Sequence, residues 1–137
     1  MIKQRICIVG DGLSGLMTAA VLAKLTGIEV NLIAKKATKN IDKRTTAISD
    51  TNFNFVNQNI TTLEKKLFWP SKKIELFYET SKEKINFLNL NEANSNLMYI
   101  FENDKVKSLL LKEISKSKIK LIRKDVKNSG ELKDYDL

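Results

Sequence analysis

At 137 residues and 42% hydrophobic composition, the chain can bury one modest core, which excludes a cofactor domain and a separate substrate domain together. Its net charge of +8 is spread as lysine along the whole length, Arg5, Arg44 and Arg123 being the only arginines, and the aromatic residues sit mostly in apolar runs. That scatter fits solvated faces and argues against nucleic-acid binding, which gathers basic and stacking groups on one surface.

Arg5, Ile6, Cys7, Ile8 and Val9 form a short β-branched run closed by Gly10, the pattern of a central parallel strand. Cys7 is the single cysteine and the chain has no histidine, so no disulfide and no metal site is expected within it. The N-terminus passes straight into this strand without a signal-peptide apolar region. No apolar run reaches the ~20 residues needed to span a bilayer, and the expected setting is reducing and cytoplasmic.

Residues 14–26 read as a buried helix, because Leu16, Met17, Ala19, Ala20, Val21, Leu22, Ala23 and Leu25 surround nearly every side. Ser14 is placed to satisfy free amides at its start, and Gly27 to supply the left-handed residue at its end. Residues 29–33, with Val30, Leu32 and Ile33, are the next strand, so the opening unit is βαβ with a right-handed crossover.

A polar excursion from Lys35 through Asn40 leads to Arg44, and a second helix is expected from about residue 47 to 59. Trp69 and Pro70 break the following segment. Ile74, Leu76 and Tyr78 then alternate as a strand that pairs with residues 85–90 in a hairpin. Residues 104–117 form an amphipathic helix with Val106, Leu109, Leu110 and Ile114 on one face, followed by a strand at 119–122. Ser129 and Gly130 mark a turn, and Leu132 begins another strand. No repeat or low-complexity linker is visible.

Gly10-Asp11-Gly12-Leu13-Ser14-Gly15 is a G-x-G-x-x-G element set between a strand and a helix. Gly10 permits the tight turn, Gly12 lets the backbone approach a pyrophosphate, and Gly15 lets the helix pack against the strand. Unpaired amides and the positive end of the helix dipole then hold the anion through main-chain groups. A Walker-type loop needs Lys and then Ser or Thr after its last glycine, and Leu16-Met17 supplies neither. Three glycines in six residues can also serve merely as a tight turn. The complete strand, loop, apolar helix, closing glycine and second strand favour a dinucleotide.

The acidic residue that bonds the ribose hydroxyls about 20 residues beyond such a loop is missing. Ala34 and Lys35 stand in its place, and Glu29 is at the wrong end of its strand. Affinity comes from elsewhere, or backbone groups grip the ribose, or binding has been lost.

The segment Asp42-Lys43-Arg44-Thr45-Thr46-Ala47-Ile48-Ser49 resembles the D-x-R-x-x-A-L-S segment of the FAD-dependent aromatic-ring hydroxylases of ubiquinone biosynthesis, relatives of para-hydroxybenzoate hydroxylase. The loop from Gly10 to Gly15 and the stretch Tyr99-Ile100-Phe101-Glu102-Asn103 are similar as well. The resemblance spans nearly the whole chain but only about the first third of such an enzyme. It implies an incomplete Rossmann-like α/β FAD-binding fold with a small hairpin insertion, lacking a substrate domain and the later Asp-Gly and Gly-Asp flavin motifs. It also implies that Arg44 lies near the flavin and pyrophosphate, that Asn103 contacts FAD, and that Val126 lies near the adenine. From the residues alone, Arg44 can equally be a solvated loop charge and Asn103 a helix cap.

In such enzymes the flavin performs the chemistry, with NAD(P)H as electron donor and oxygen as co-substrate, while the protein binds, orients and excludes water. No catalytic side chain is therefore named. The resemblance implies the FAD-binding part of a monooxygenase acting on an aromatic ubiquinone precursor, inactive alone and completed by a second polypeptide if it is not truncated. A lipophilic quinone precursor would also bring peripheral contact with the inner face of the membrane. The alternative is a non-catalytic nucleotide-binding or interaction module left from a truncated flavoprotein. An intact NAD-dependent enzyme is disfavoured, since no catalytic half follows the cofactor half.

Overall fold

Runs of β-branched residues flanking an apolar helix can hide both faces only in a layered parallel sheet, and that is how the chain begins. The computed structural model describes residues 4–36 and 42–137. The remaining part of the polar excursion, residues 37–41, lies outside the described residues. Strand β1 (Gln4–Val9), helix α1 (Leu13–Leu22) and strand β2 (Ile28–Ala34) form the expected βαβ unit, β1 and β2 pairing in parallel with Ile6 opposite Val30 and Ile8 opposite Leu32. Among the described residues, β2 is the central strand, with Val30 to Ala34 buried without interruption, whereas β1, expected to be central, lies at the sheet edge with only Ile6 buried.

Strand β3 (Thr45–Ser49) comes next, followed by helix α2 (Asp50–Asn59). The helix expected from residue 47 therefore begins three residues later. Ser49 caps it, accepting a hydrogen bond from the Asn52 amide at 3.2 Å, and the residues before it are drawn into strand by pairing. Trp69 and Pro70 likewise do not simply interrupt the chain but open the short strand β4 (Trp69–Ser71). Strands β5 (Lys73–Glu79) and β6 (Lys84–Asn91) make the expected hairpin, and β7 (Met98–Glu102) leads into helix α3 (Asn103–Ser115) and strand β8 (Lys120–Arg123).

The parallel sheet has the order β1-β2-β8, while β3, β7 and β4 form a separate antiparallel sheet in the order β3-β7-β4. One continuous core joins them. Leu16 and Ala19 of α1 and Val30 and Leu32 of β2 meet Val106, Leu110 and Ile114 of α3, and that cluster runs on into Phe53, Phe68 and Phe101. Phe53 stacks on Tyr99 at 3.8 Å and meets Phe68 edge-on at 5.1 Å, which fixes α2 against the antiparallel sheet.

Three further details depart from expectation. Helix α1 stops at Leu22, and Gly27, with φ of 78°, makes the turn into β2 rather than ending the helix itself. Only Leu16 and Ala19 of α1 are fully buried. Met17, Val21 and Leu22 line an open apolar groove of about 350 Å³ shared with Ile48, Phe55 and Ile60, because no described element covers that side. Finally, Ser129–Leu132 is the expected turn, in 3₁₀ form, but no strand follows from Leu132. Even so, Asp136 donates its amide to the Arg5 carbonyl at 2.8 Å and the Cys7 amide donates to the Leu137 carbonyl at 2.7 Å, so the last residues lie along the free edge of β1. The Asn31 side-chain amide also donates to the Tyr135 hydroxyl at 3.3 Å.

The hairpin is amphipathic. Ile74 pairs with Leu90, Leu76 with Leu88 and Tyr78 with Ile85, and the bulge beside Leu76 and Phe77 restores all three pairs to one face. Ile74 is half-buried and the other five side chains are exposed.

Helix α1 approaches the chain leaving β1 closely. A Cβ on Gly15 would fall 2.2 Å from the Gly10 carbonyl oxygen, a backbone atom that cannot swing aside. Gly15→Ala is expected to lower stability by at least about 2 kcal/mol in urea titration; an unchanged midpoint would show that α1 can lift off β1 freely.

Candidate functional site

In open parallel sheets, ligands bind beyond the carboxyl ends of the strands. Here β1 ends in Gly10, whose φ of 113° favours glycine and whose amide donates to the Ile33 carbonyl at 2.7 Å. The chain then turns so that Gly12 is the N-cap of α1. No side chain caps the helix and its first turn has no acidic residue, so the amides of Leu13, Ser14 and Gly15 are left to an outside acceptor. Ser14 is thus not the cap its position suggested.

Gly12 is the informative glycine. Its φ of −69° and ψ of 171° suit any residue, and a Cβ built there meets no protein atom within 4 Å. Neither backbone strain nor internal crowding calls for glycine at this position. The position leaves bare backbone open to the outside at the positive end of a helix. The loop therefore fits a pyrophosphate.

Arg123 links Asp11 of the loop to the end of β2. The Arg123 guanidinium, at the end of β8, donates to Asp11 Oδ2 at 2.9 Å and to the Lys35 carbonyl at 3.0 Å, and Lys107 Nζ of α3 lies 3.4 Å from Asp11 Oδ1. Partial burial pushes the Asp11 carboxyl upward, but the hydrogen bond from Arg123 and the charge of Lys107 outweigh it and hold its pKa below the ordinary value. Val126 follows β8 on the same rim, half-buried, where Lys124 donates its amide to the Ala34 carbonyl at 2.9 Å and Asp125 pairs with Lys35 at 3.3 Å.

The third part is the segment before β3. Asp42 takes a two-pronged contact from Arg44, through Nε and Nη2 at 2.8 Å each, and its Oδ2 also accepts from Asn103 Nδ2 at 3.2 Å. Asn103 Oδ1 accepts from the Thr46 hydroxyl at 2.6 Å, and its amide donates to the Arg44 carbonyl at 3.0 Å. Asn103 is buried as the first residue of α3, Glu102 holds the cap position, and the Asn103 side chain turns to the Arg44 segment instead of its own helix. The Arg44 guanidinium stays open to solvent. Asn103 and Lys107 are one turn apart on α3, so the same helix face touches both the Arg44 segment and the glycine loop.

A protein-family model described as FAD binding domain matches residues 3–128. The chain belongs to this family. The solved structures resembling it include p-nitrophenol 4-monooxygenase from Pseudomonas putida DLL-E4, at TM-score 0.64 and 15% identity over 88% of this chain and 31% of that one. A tryptophan halogenase from Shewanella frigidimarina NCIMB 400 gives 0.65 and 14% identity over 92% and 37%, respectively. A geranylgeranyl bacteriochlorophyll reductase-like protein from Thermoplasma acidophilum gives 0.60 and 19% over 87% and 30%. At these identities the likeness is one of fold. The chain spans about a third of the length of these structures. None of the curated proteins matches it.

The FAD-binding domain thus gathers the loop from Gly10 to Gly15 and the neighbourhood of Val126 on the strand-end rim, with Arg44 and Asn103 joined to it through α3. Lys107 and Arg123 were not singled out from sequence, and Asp42 entered only as the first residue of the segment before β3. Arg123, a rare arginine directly after a strand, was the one legible signal. The apolar groove beside α1 involves none of the loop residues.

Two tests follow from this geometry. Gly12→Ala should leave the urea midpoint within about 1 kcal/mol of wild type while weakening FAD binding at least about tenfold by calorimetry; unchanged affinity would mean nothing approaches the loop there. Hydrogen bonds from Arg44, first through its side chain and then its amide, and one from Asn103 hold the Asp42 carboxyl far below the ordinary carboxylate range. A depressed folded pKa gives stability that is present above the unfolded value and lost as pH falls. Melting temperature should therefore drop more steeply on acidification below about pH 5 in wild type than in Asp42→Asn; parallel profiles would contradict the network.

Proposed function

We propose that the chain is the FAD-binding portion of a flavin-dependent monooxygenase that hydroxylates an aromatic ring, with a ubiquinone precursor as the substrate and NAD(P)H as the electron donor. The observation that carries the reading is the bare backbone at Gly12, facing uncapped helix amides where strain and crowding ask for no glycine. Family membership supports FAD as the occupant. The resemblance of residues 42–49 and 99–103 to the ubiquinone-pathway hydroxylases supports the substrate class.

In this reading, the amides of residues 13–15 hold the pyrophosphate, Val126 borders the adenine, and Arg44 and Asn103 hold the flavin side. The bound flavin supplies the redox chemistry. The residues of this chain bind and orient it, and none is assigned a proton transfer or a covalent step.

Turnover in this reading requires further polypeptide, in the same chain or supplied separately. The six-residue apolar face of the hairpin supports this, because a two-stranded sheet with an open apolar face is marginal alone. A lipophilic precursor would place the working enzyme against the inner membrane surface; no described helix is long and apolar enough to cross one. The second reading, a non-catalytic nucleotide-binding module, draws on Ala34 and Lys35 at the place of the ribose acid.

Calorimetry with FAD, NAD and ADP separates the two. The first reading expects FAD to bind most tightly, and no heat from any of the three would favour the module. Hydroxylation of a phenolic quinone precursor by the purified chain alone would overturn the need for more polypeptide.

A further inference from the structure

The geometry points to Asp11 as the residue that takes the adenosine ribose hydroxyls, replacing the carboxylate that β2 lacks, with Arg123 as the residue that positions it. This rests on the FAD-binding reading and names the partner of one part of the cofactor. Strand β2 ends in Ala34, and Lys35 follows with an exposed side chain, so the end of this strand brings no acid of its own.

A single guanidinium nitrogen, Arg123 Nη1, donates to both Asp11 Oδ2 at 2.9 Å and the Lys35 carbonyl at 3.0 Å. Two acceptors sharing one nitrogen must be near neighbours. The Asp11 carboxylate, carried by the glycine loop, is thereby held beside the first carbonyl beyond β2, where the ribose acid of a dinucleotide fold is wanted.

The chemistry suits the role. Arg123 and Lys107 each engage a different carboxylate oxygen, leaving lone pairs on both for hydroxyl donors. Together they hold the group ionised, so it is an acceptor only. Two cations against one carboxylate leave the cluster net positive, and a pyrophosphate at the adjoining helix terminus is not repelled. The carboxylate is about three-quarters covered yet still reaches solvent.

Calorimetric titration of the intact chain with ADP and with 2′-deoxy-ADP reads the ribose contact directly. Wild type should prefer ADP by about tenfold, the size of one hydrogen bond to a charged group. Asp11→Asn should bring ADP down to the 2′-deoxy-ADP affinity while leaving the latter within about twofold. Arg123→Gln should shrink the same ratio without moving the urea midpoint, a readout that a merely structural ion pair would not change. Binding of both nucleotides with equal affinity by wild type, a preference retained in Asp11→Asn, or tighter ADP binding by that variant would each overturn the assignment. Silence of wild type toward ADP, 2′-deoxy-ADP and FAD would instead overturn the FAD-binding reading, and this assignment with it.

Discussion

The backbone of Gly15 presses against the Gly10 carbonyl with no room for even a methyl group between them, and the arrangement of the strand-end rim descends from that approach. Because α1 must leave β1 at this distance, its N-terminus is aimed across the carboxyl ends of the parallel strands. Its first amides are then neither capped nor buried. A slacker loop would leave the same residues as a connection with no direction. The glycine spacing is thus a geometric demand before it is a binding motif, with Gly10 serving the turn, Gly15 the packing and Gly12 whatever comes from outside.

Helix α3 extends that constraint to the rest of the rim. It packs against α1 in the common core through Val106, Leu110 and Ile114, so its first turns are carried to the same end of the molecule as the glycine loop. From there Asn103 holds the Arg44 segment and Lys107 reaches Asp11. Burial of apolar side chains thereby sets the positions of polar ones. Most ion pairs among the described residues are exposed and contribute little to stability, whereas the Asp11 cluster is among the more covered ones and orders the strand-end rim.

The parts legible in the sequence are those whose signal is local. The βαβ unit was written in two β-branched runs around an apolar helix, and the hairpin in the alternation of Ile74, Leu76 and Tyr78 against Ile85 to Leu90. Strand β3 was absorbed into the helix that follows it, since a five-residue strand pairing with β7 some 50 residues away leaves no local mark. The all-round apolarity of α1 suggested complete burial, but apolar pattern reports only which faces want cover, and Met17, Val21 and Leu22 stand in an open groove. The reach of Arg123 to Asp11 crosses 112 positions of sequence and was invisible for the same reason.

The unsupported hairpin face and the open groove beside α1 share one character: each is apolar and open to solvent. The strand-end rim differs, being polar, net positive and lined by backbone. The proposed reading rests on that contrast, with the nucleotide placed on the rim and not in the groove. Amide chemical shifts followed by NMR during titration with ADP test the distinction most directly. The account predicts that the largest changes fall on Gly12, Leu13, Ser14 and Gly15, with the hairpin unmoved. Changes centred on Met17, Val21 and Phe55 in the apolar groove, with the glycine loop silent, would contradict it.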